Sequence, residues 1–423
     1  MQQFFKIDDK LLELDKKARE LISPTFAEIE RITMHNQHKV LSAFINNGVG
    51  ESHLGISTGY GYGDRGRDTL EKVFADCVGA EDSLIRHNFV SGTHTLAVML
   101  FGVLRPGDNM LCLTGRPYDT LIGVLGIEGE SDGSLKEFGI NYEQVDLDEN
   151  GEPDLEGIKA RLSSKKYKVA YIQRSRGYSL RPSLTVEKIG ELSRAVKEVS
   201  PDTLILVDNC YGEFVDTIEP TSVGADLIAG SLIKNPGGGI APTGGYIAGR
   251  HNLVEKCGYR LTCAGVGREI GATLGLNREL YMGLFLAPHT VGEALKTATY
   301  AGALFELLGY ESTPKYNAKR ADIIESVLLK THDALVAFCQ GMQKGAPVDS
   351  FVTPEPWDMP GYDDQVIMAA GAFTLGSSIE LSADAPLREP YAAWLQGGLN
   401  FHSGQAGVLL GAQSMIDKGI IKL

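Results

Sequence analysis

The chain has no cysteine pair at CxxC spacing, no apolar run near the roughly 20 residues that cross a bilayer, and no excess of positive charge. Without that run, a membrane-spanning helix is not expected. A net charge of −14 argues against general nucleic-acid binding and against docking on anionic membranes. Residues 1–9 lack the basic start and long apolar stretch of a secretory signal. The cysteines stand at 77, 112, 210, 257, 263 and 339, without the Cys/His clustering that a zinc site needs. Cys112 lies inside an apolar run, so the cysteines read as buried free thiols in a reducing cytoplasm. There is no internal repeat or low-complexity tract, and no GxGxxG follows the first strand. The last absence ranks a dinucleotide-binding dehydrogenase behind other readings.

What is present is a chain of 423 residues, enough for two or three domains with ample core. Residues 1–50 predict a helical arm, with Leu11, Leu12, Leu14, Ala18 and Leu21 as an apolar stripe and Pro24 restarting the chain. Residues 55–66 form a glycine- and tyrosine-rich loop. From 84 to 250, short apolar runs at 110–113, 169–172, 204–207, 227–229 and 246–248 alternate with amphipathic stretches. Val186, Ile189, Leu192, Val196 and Val199 show the helical spacing. This alternation predicts βαβ units and a mostly parallel sheet. Residues 285–330 read as long helix with a break near Pro314. Strand-like runs at 348–352, 366–368 and 378–381 then precede a helix over 403–416. The expected division is an arm at 1–50, a large α/β domain at 51–286 and a small α+β domain at 287–423.

The most informative residue is Lys234, in Ser231-Leu232-Ile233-Lys234-Asn235-Pro236-Gly237-Gly238-Gly239. Asp208 closes the apolar run that begins at Leu204. Parallel sheets place ligand groups at the carboxyl ends of their strands. A lysine amine beside a buried carboxylate suits pyridoxal 5'-phosphate (PLP). The lysine would form the Schiff base, and Asp208 would keep the pyridine nitrogen protonated. Ser91-Gly92-Thr93 opens an apolar helix, where free N–H groups and the helix dipole favour a phosphate. Ser231 offers a further hydroxyl, and the glycine run admits close backbone approach. Tyr118 follows the 110–113 strand and is placed to stack on a flat ring and to shuttle a proton. Arg388 is the first candidate for a substrate carboxylate, with Arg174 as another.

These residues resemble the fold-type I PLP enzymes, specifically the cystathionine/methionine lyase group. Gly59-Tyr60-Gly61-Tyr62-Gly63-Asp64 resembles that group's entry loop, and the resemblance implies that Tyr60 reaches the cofactor phosphate of a neighbouring subunit. Gln173-Arg174-Ser175-Arg176-Gly177-Tyr178, the stretch from Asp208 to Phe214, and Lys234-Asn235-Pro236-Gly237-Gly238-Gly239 resemble a bacterial methionine gamma-lyase-like branch, also called aluminium-resistance proteins. Ile233 stands where better-studied lyases carry threonine, removing one phosphate hydroxyl. The resemblance implies the aspartate aminotransferase-like fold with a seven-stranded sheet. It also implies a cytoplasmic homodimer or homotetramer with shared active sites, and carbon–sulfur bond elimination on a sulfur-containing amino acid. Aldol cleavage, transamination, or a non-catalytic PLP-fold protein in metal tolerance stand as alternatives.

Overall fold

The structure is a computed structural model that describes residues 1–129, 132–358 and 364–423. It divides into two compact units, His35–Ala287 and Met1–Met34 with Pro288–Leu423. Both divisions fall inside long helices, Asp9–Asn46 and Asn277–Leu307.

The unit His35–Ala287 is built on seven strands: β1 (Asp82–Arg86), β2 (Asn109–Cys112), β3 (Asn141–Gln144), β4 (Val169–Gln173), β5 (Leu204–Asp208), β6 (Leu227–Ser231) and β7 (Gly245–Gly249). Their order is β1-β7-β6-β5-β4-β2-β3. Neighbours from β6 to β3 run parallel, whereas β7 is antiparallel to both β6 and β1. Strands β4 to β7 are buried along their whole length. That is why they read as continuous apolar runs rather than alternating ones. Helix Val186–Val199 shows how the covering layer forms. Thr185 caps it by accepting from the Lys188 N–H, and Val186, Ile189, Leu192 and Val196 all turn inward. In register, Gln173 at the end of β4 lies beside Asp208 at the end of β5, and β6 delivers Ser231 at the same edge. The fold is therefore α/β with a mostly parallel seven-stranded sheet.

The other unit contains an antiparallel sheet of β8 (Glu311–Thr313), β9 (Glu325–Leu328), β10 (Val366–Ala370), β11 (Ser382–Pro386) and β12 (Ala392–Gln396), ordered β10-β11-β12-β9-β8. Its core joins Leu11 and Ile22 of the first helix to Leu304, Phe305, Phe338 and Leu409.

Several local expectations are corrected. Pro24 does not restart the chain but lies inside the continuous helix Asp9–Asn46. Pro24 and Glu20 are both exposed, so the carbonyl that the missing N–H leaves unpaired lies on the solvent side of the helix. The expected helix over 285–330 ends at Leu307, because Gly309 takes φ +86° and the Tyr310 N–H closes onto Phe305 O at 2.9 Å. Two strands, β8 and β9, replace its second half. Residues 348–352 form a turn around left-handed Asp349. Residues 378–381 precede β11, since the Glu380 carboxylate holds a loop by accepting from the N–H groups of Phe373 and Thr374. Five cysteines are buried free thiols, but Cys263 is exposed. No helix among the described residues is long and apolar enough to cross a membrane.

Candidate active site

Asp208 is the last residue of β5 and is buried. Its Oδ1 accepts the Cys210 N–H at 3.1 Å. Burial pushes its carboxyl up, and the charge of Lys234 partly offsets that push. The chain then turns sharply, with Tyr211 and Phe214 both in the left-handed region at φ 68° and 60°. Such conformations are uncommon outside glycine and concentrate at functional sites.

Lys234 leaves β6 three residues after Ser231, and its N–H donates to Ser231 O at 3.4 Å. The turn that follows is packed too tightly for a side chain. A Cβ on Gly237 would lie 1.7 Å from Leu232 O. The Asn235 side chain donates to Glu213 O at 2.9 Å and fastens this turn to the segment after Asp208. Lys234 Nζ sits 4.0 Å from the centroid of the Tyr211 ring, a cation–π geometry. Burial opposes charge on this amine. Cys210, Tyr211, Asp208 and Glu213 outweigh it and hold the amine above the ordinary lysine range.

Ser91 caps helix Gly92–Val103, its hydroxyl accepting from the His94 N–H at 3.1 Å. The first intrahelical bond runs from the Thr95 N–H to Ser91 O. The amides of Gly92 and Thr93 therefore have no partner within the helix. A Cβ built on Gly92 would stand 3.4 Å from Ser231 Cβ and 3.8 Å from Cys210 Sγ, so this helix start abuts both the lysine segment and the aspartate segment. Thr93 Oγ1 is 2.7 Å from Thr120 Oγ1, which links it to the Tyr118 segment. The Tyr118 N–H donates to Gln173 Oε1 at 2.7 Å, and the ring lies 6.1 Å from that of Tyr178. Ser91, Gly92, Thr93, Tyr118, Asp208, Ser231 and Lys234 are thus connected through neighbouring contacts at one edge of the sheet.

Arg174 has a different setting from the one its residue type suggested. It is 1% exposed, and its Nη1 donates to Asn209 Oδ1 at 2.8 Å and to Glu219 Oε2 at 3.4 Å. Its guanidinium braces the residue after Asp208. Tyr60 lies in an exposed loop, 73% accessible, with its ring 5.7 Å from that of Tyr62. Arg388 belongs to the unit that includes Pro288–Leu423, is exposed, and pairs with Asp364 at 3.4 Å. Sequence reasoning gave no role to Gln173, Tyr211, Glu213, Glu219 or Tyr246. The available signal was a dense polar segment, Asp208 to Glu219, directly after an apolar strand.

The family model of methionine gamma-lyase matches residues 11–416. The chain belongs to this family. A relative from Bacillus subtilis, the uncharacterized protein YnbB, is 48% identical over 412 residues, covering 96% of this chain and 98% of the relative. A crystal structure from Clostridium novyi, described as a carbon–sulfur lyase involved in aluminum resistance, is 53% identical. It has a TM-score of 0.94 and covers 98% of both chains. The pyridoxal-5'-phosphate dependent protein YhfS of Escherichia coli is 17% identical with a TM-score of 0.63, over 92% of this chain and 97% of that one. At that identity the likeness is one of fold, the fold-type I architecture that the family shares.

Proposed function

We propose that this protein is a PLP-dependent lyase that breaks the carbon–sulfur bond of a sulfur-containing amino acid. The observation that carries the reading is the convergence of Lys234, Asp208 and the Gly92 helix start at one edge of the sheet. The donor set fits the cofactor at three points. Unpaired helix-start amides with the hydroxyls of Ser91, Thr93 and Ser231 suit its phosphate. The Asp208 carboxylate suits its pyridinium, and the Lys234 amine suits its aldehyde. When bound, the cofactor supplies an electron sink for the pair released on removing the substrate's α-proton.

In this reading Lys234 takes the α-proton and returns protons in later steps. Tyr118 stacks on the ring and serves as a second proton carrier. For γ-elimination a Cβ proton must also leave, whereas for β-elimination the Cβ–S bond breaks directly. In this reading Arg388, whose pair with Asp364 is exposed, binds the substrate carboxylate, whereas the Arg174 guanidinium is buried against Asn209 and Glu219. Tyr60 serves the cofactor phosphate of a second copy, which makes the working form a homodimer or homotetramer. Free buried thiols suit a reducing cytoplasm.

The test is an absorbance spectrum of the purified protein with and without candidate amino acids, joined to assays of keto-acid and thiol release. A near-visible band that shifts with a thioether amino acid, with both products formed, is expected. Lys234→Ala should abolish the band and the turnover. A variant with full turnover, or aldehyde as product, overturns the reading.

A further inference from the structure

Behind the lysine turn lies a closed polar network. Arg174 Nη1 donates to Asn209 Oδ1 and Glu219 Oε2. Asn209 Nδ2 donates to Glu219 Oε2 at 3.0 Å and approaches the Tyr246 hydroxyl at 3.4 Å. That hydroxyl donates to Glu213 Oε1 at 2.7 Å. Glu213 and Glu219 are 0% and 1% exposed. With Asp208 and Lys234, the cluster holds three carboxyls and two cations. A buried charge without compensation is expensive, so one carboxyl should carry a proton.

The hydrogen bonds show which one. Glu219 receives three kinds of donor, from the Arg174 guanidinium, Asn209 and the Phe214 N–H at 2.8 Å. Asp208 receives the Cys210 N–H and faces the charge of Lys234. Glu213 receives the Tyr246 hydroxyl and a backbone N–H of its own residue, neither of them charged, and its Oε2 has no partner. A Cβ on Gly230 would lie 2.5 Å from Glu213 Oε1, so the strand closes over that side.

We infer that Glu213 is a neutral carboxylic acid in the working protein, a positioning residue that leaves Asp208 as the negative charge serving Lys234. Its own backbone carbonyl anchors Asn235, so the group is fastened to the lysine turn itself. Burial pushes this carboxyl up to about 8, while Tyr246, Glu219 and Lys234 bear on it from the surrounding segments. Ionisation would set a second negative charge near Lys234 and hold the amine protonated, against its need to be free for bond formation.

The role at Lys234 rests on the proposed function, but the protonation of Glu213 does not. Infrared difference spectra of the whole protein, wild type against Glu213→Gln, read the first point directly. A protonated carboxyl stretch is expected in the wild type at neutral pH, lost with a midpoint near 8 and absent from the variant. The near-visible band of the cofactor-loaded protein reads the second. The wild type should show a spectral step near that midpoint which Glu213→Gln lacks, the two behaving alike below it. Tyr246→Phe removes a hydrogen bond that favours the ionised form, and should move the infrared midpoint upward even if the glutamine variant fails to fold. Absence of the carboxyl signal, or the same spectral step in both proteins, overturns the inference. A wild type with no near-visible band at any pH rejects the function instead and leaves the infrared result standing.

Discussion

Replacing Arg174 by methionine separates two roles for that side chain. If it braces the Asp208–Asn209 turn, the substitution leaves Glu219 buried, charged and short of its main cationic partner. Breaking a buried pair in this way costs about 3–5 kcal/mol. For a folding unit of about 250 residues, the unfolding entropy is about 0.5 kcal/mol/K, so a loss near 4 kcal/mol lowers the midpoint by about 8 °C. Thermal unfolding followed by far-ultraviolet circular dichroism measures this. The double variant Arg174→Met/Glu219→Gln removes the stranded charge along with the partner, and should recover at least half of the loss. If Arg174 instead held a substrate carboxylate, stability would barely change and KM would rise at least about tenfold. An unchanged midpoint with such a KM refutes the bracing role.

Gly237→Ala should displace the lysine turn, because its Cβ would meet the carbonyl oxygen of Leu232 at 1.7 Å. A cost of about 1–3 kcal/mol is expected, together with a clear drop in bound cofactor at unchanged helix content. Full reconstitution of that variant would count against the packing argument. Glu213 also predicts a pH dependence of stability. Its carboxyl is raised from 4.5 to about 8 in the folded protein, so between those values the unfolded chain ionises while the native one keeps its proton. The native state binds more protons there, and stability falls as pH rises through the window. At about 1.4 kcal/mol per unit the full effect is on the order of 5 kcal/mol. Urea midpoints across this range should fall for the wild type relative to Glu213→Gln, and parallel curves would disprove the assignment.

The parallel sheet was legible because its central strands are buried on both faces and appear as uninterrupted apolar runs. β1 and β3 were not, since Asp82–Arg86 and Asn141–Gln144 carry polar residues that a single-sequence reading assigns to loops. Lys234 and Asp208 stood out because each lies where an apolar run gives way to polar or glycine-rich chain. The network behind them left no such trace. Tyr246 sits in a run that reads only as strand, and its bond to Glu213 joins residues 33 apart through sheet order rather than spacing. The setting of Arg174 was hidden for the same reason, because an arginine beyond a strand end looks alike whether it faces substrate or a buried glutamate.

The discontinuity of the smaller unit bears on how the molecule is made. The Tyr300 hydroxyl donates to Asp15 at 2.8 Å across 285 residues, and the Asp8 N–H donates to Gln413 at 2.8 Å across 405. At the usual pace of translation, Asp15 emerges roughly 15–60 s before its partner. Through that interval Leu11, Ala18 and Ile22 present an apolar stripe with nothing yet synthesised to cover it. The continuous stretch His35–Ala287 is made during that interval and is complete only about 1–3 s before Tyr300 emerges. The leading helix is thus the segment most exposed to chaperones and to misassociation on the ribosome, and an early stop within the last helix would leave both ends of the chain unpaired.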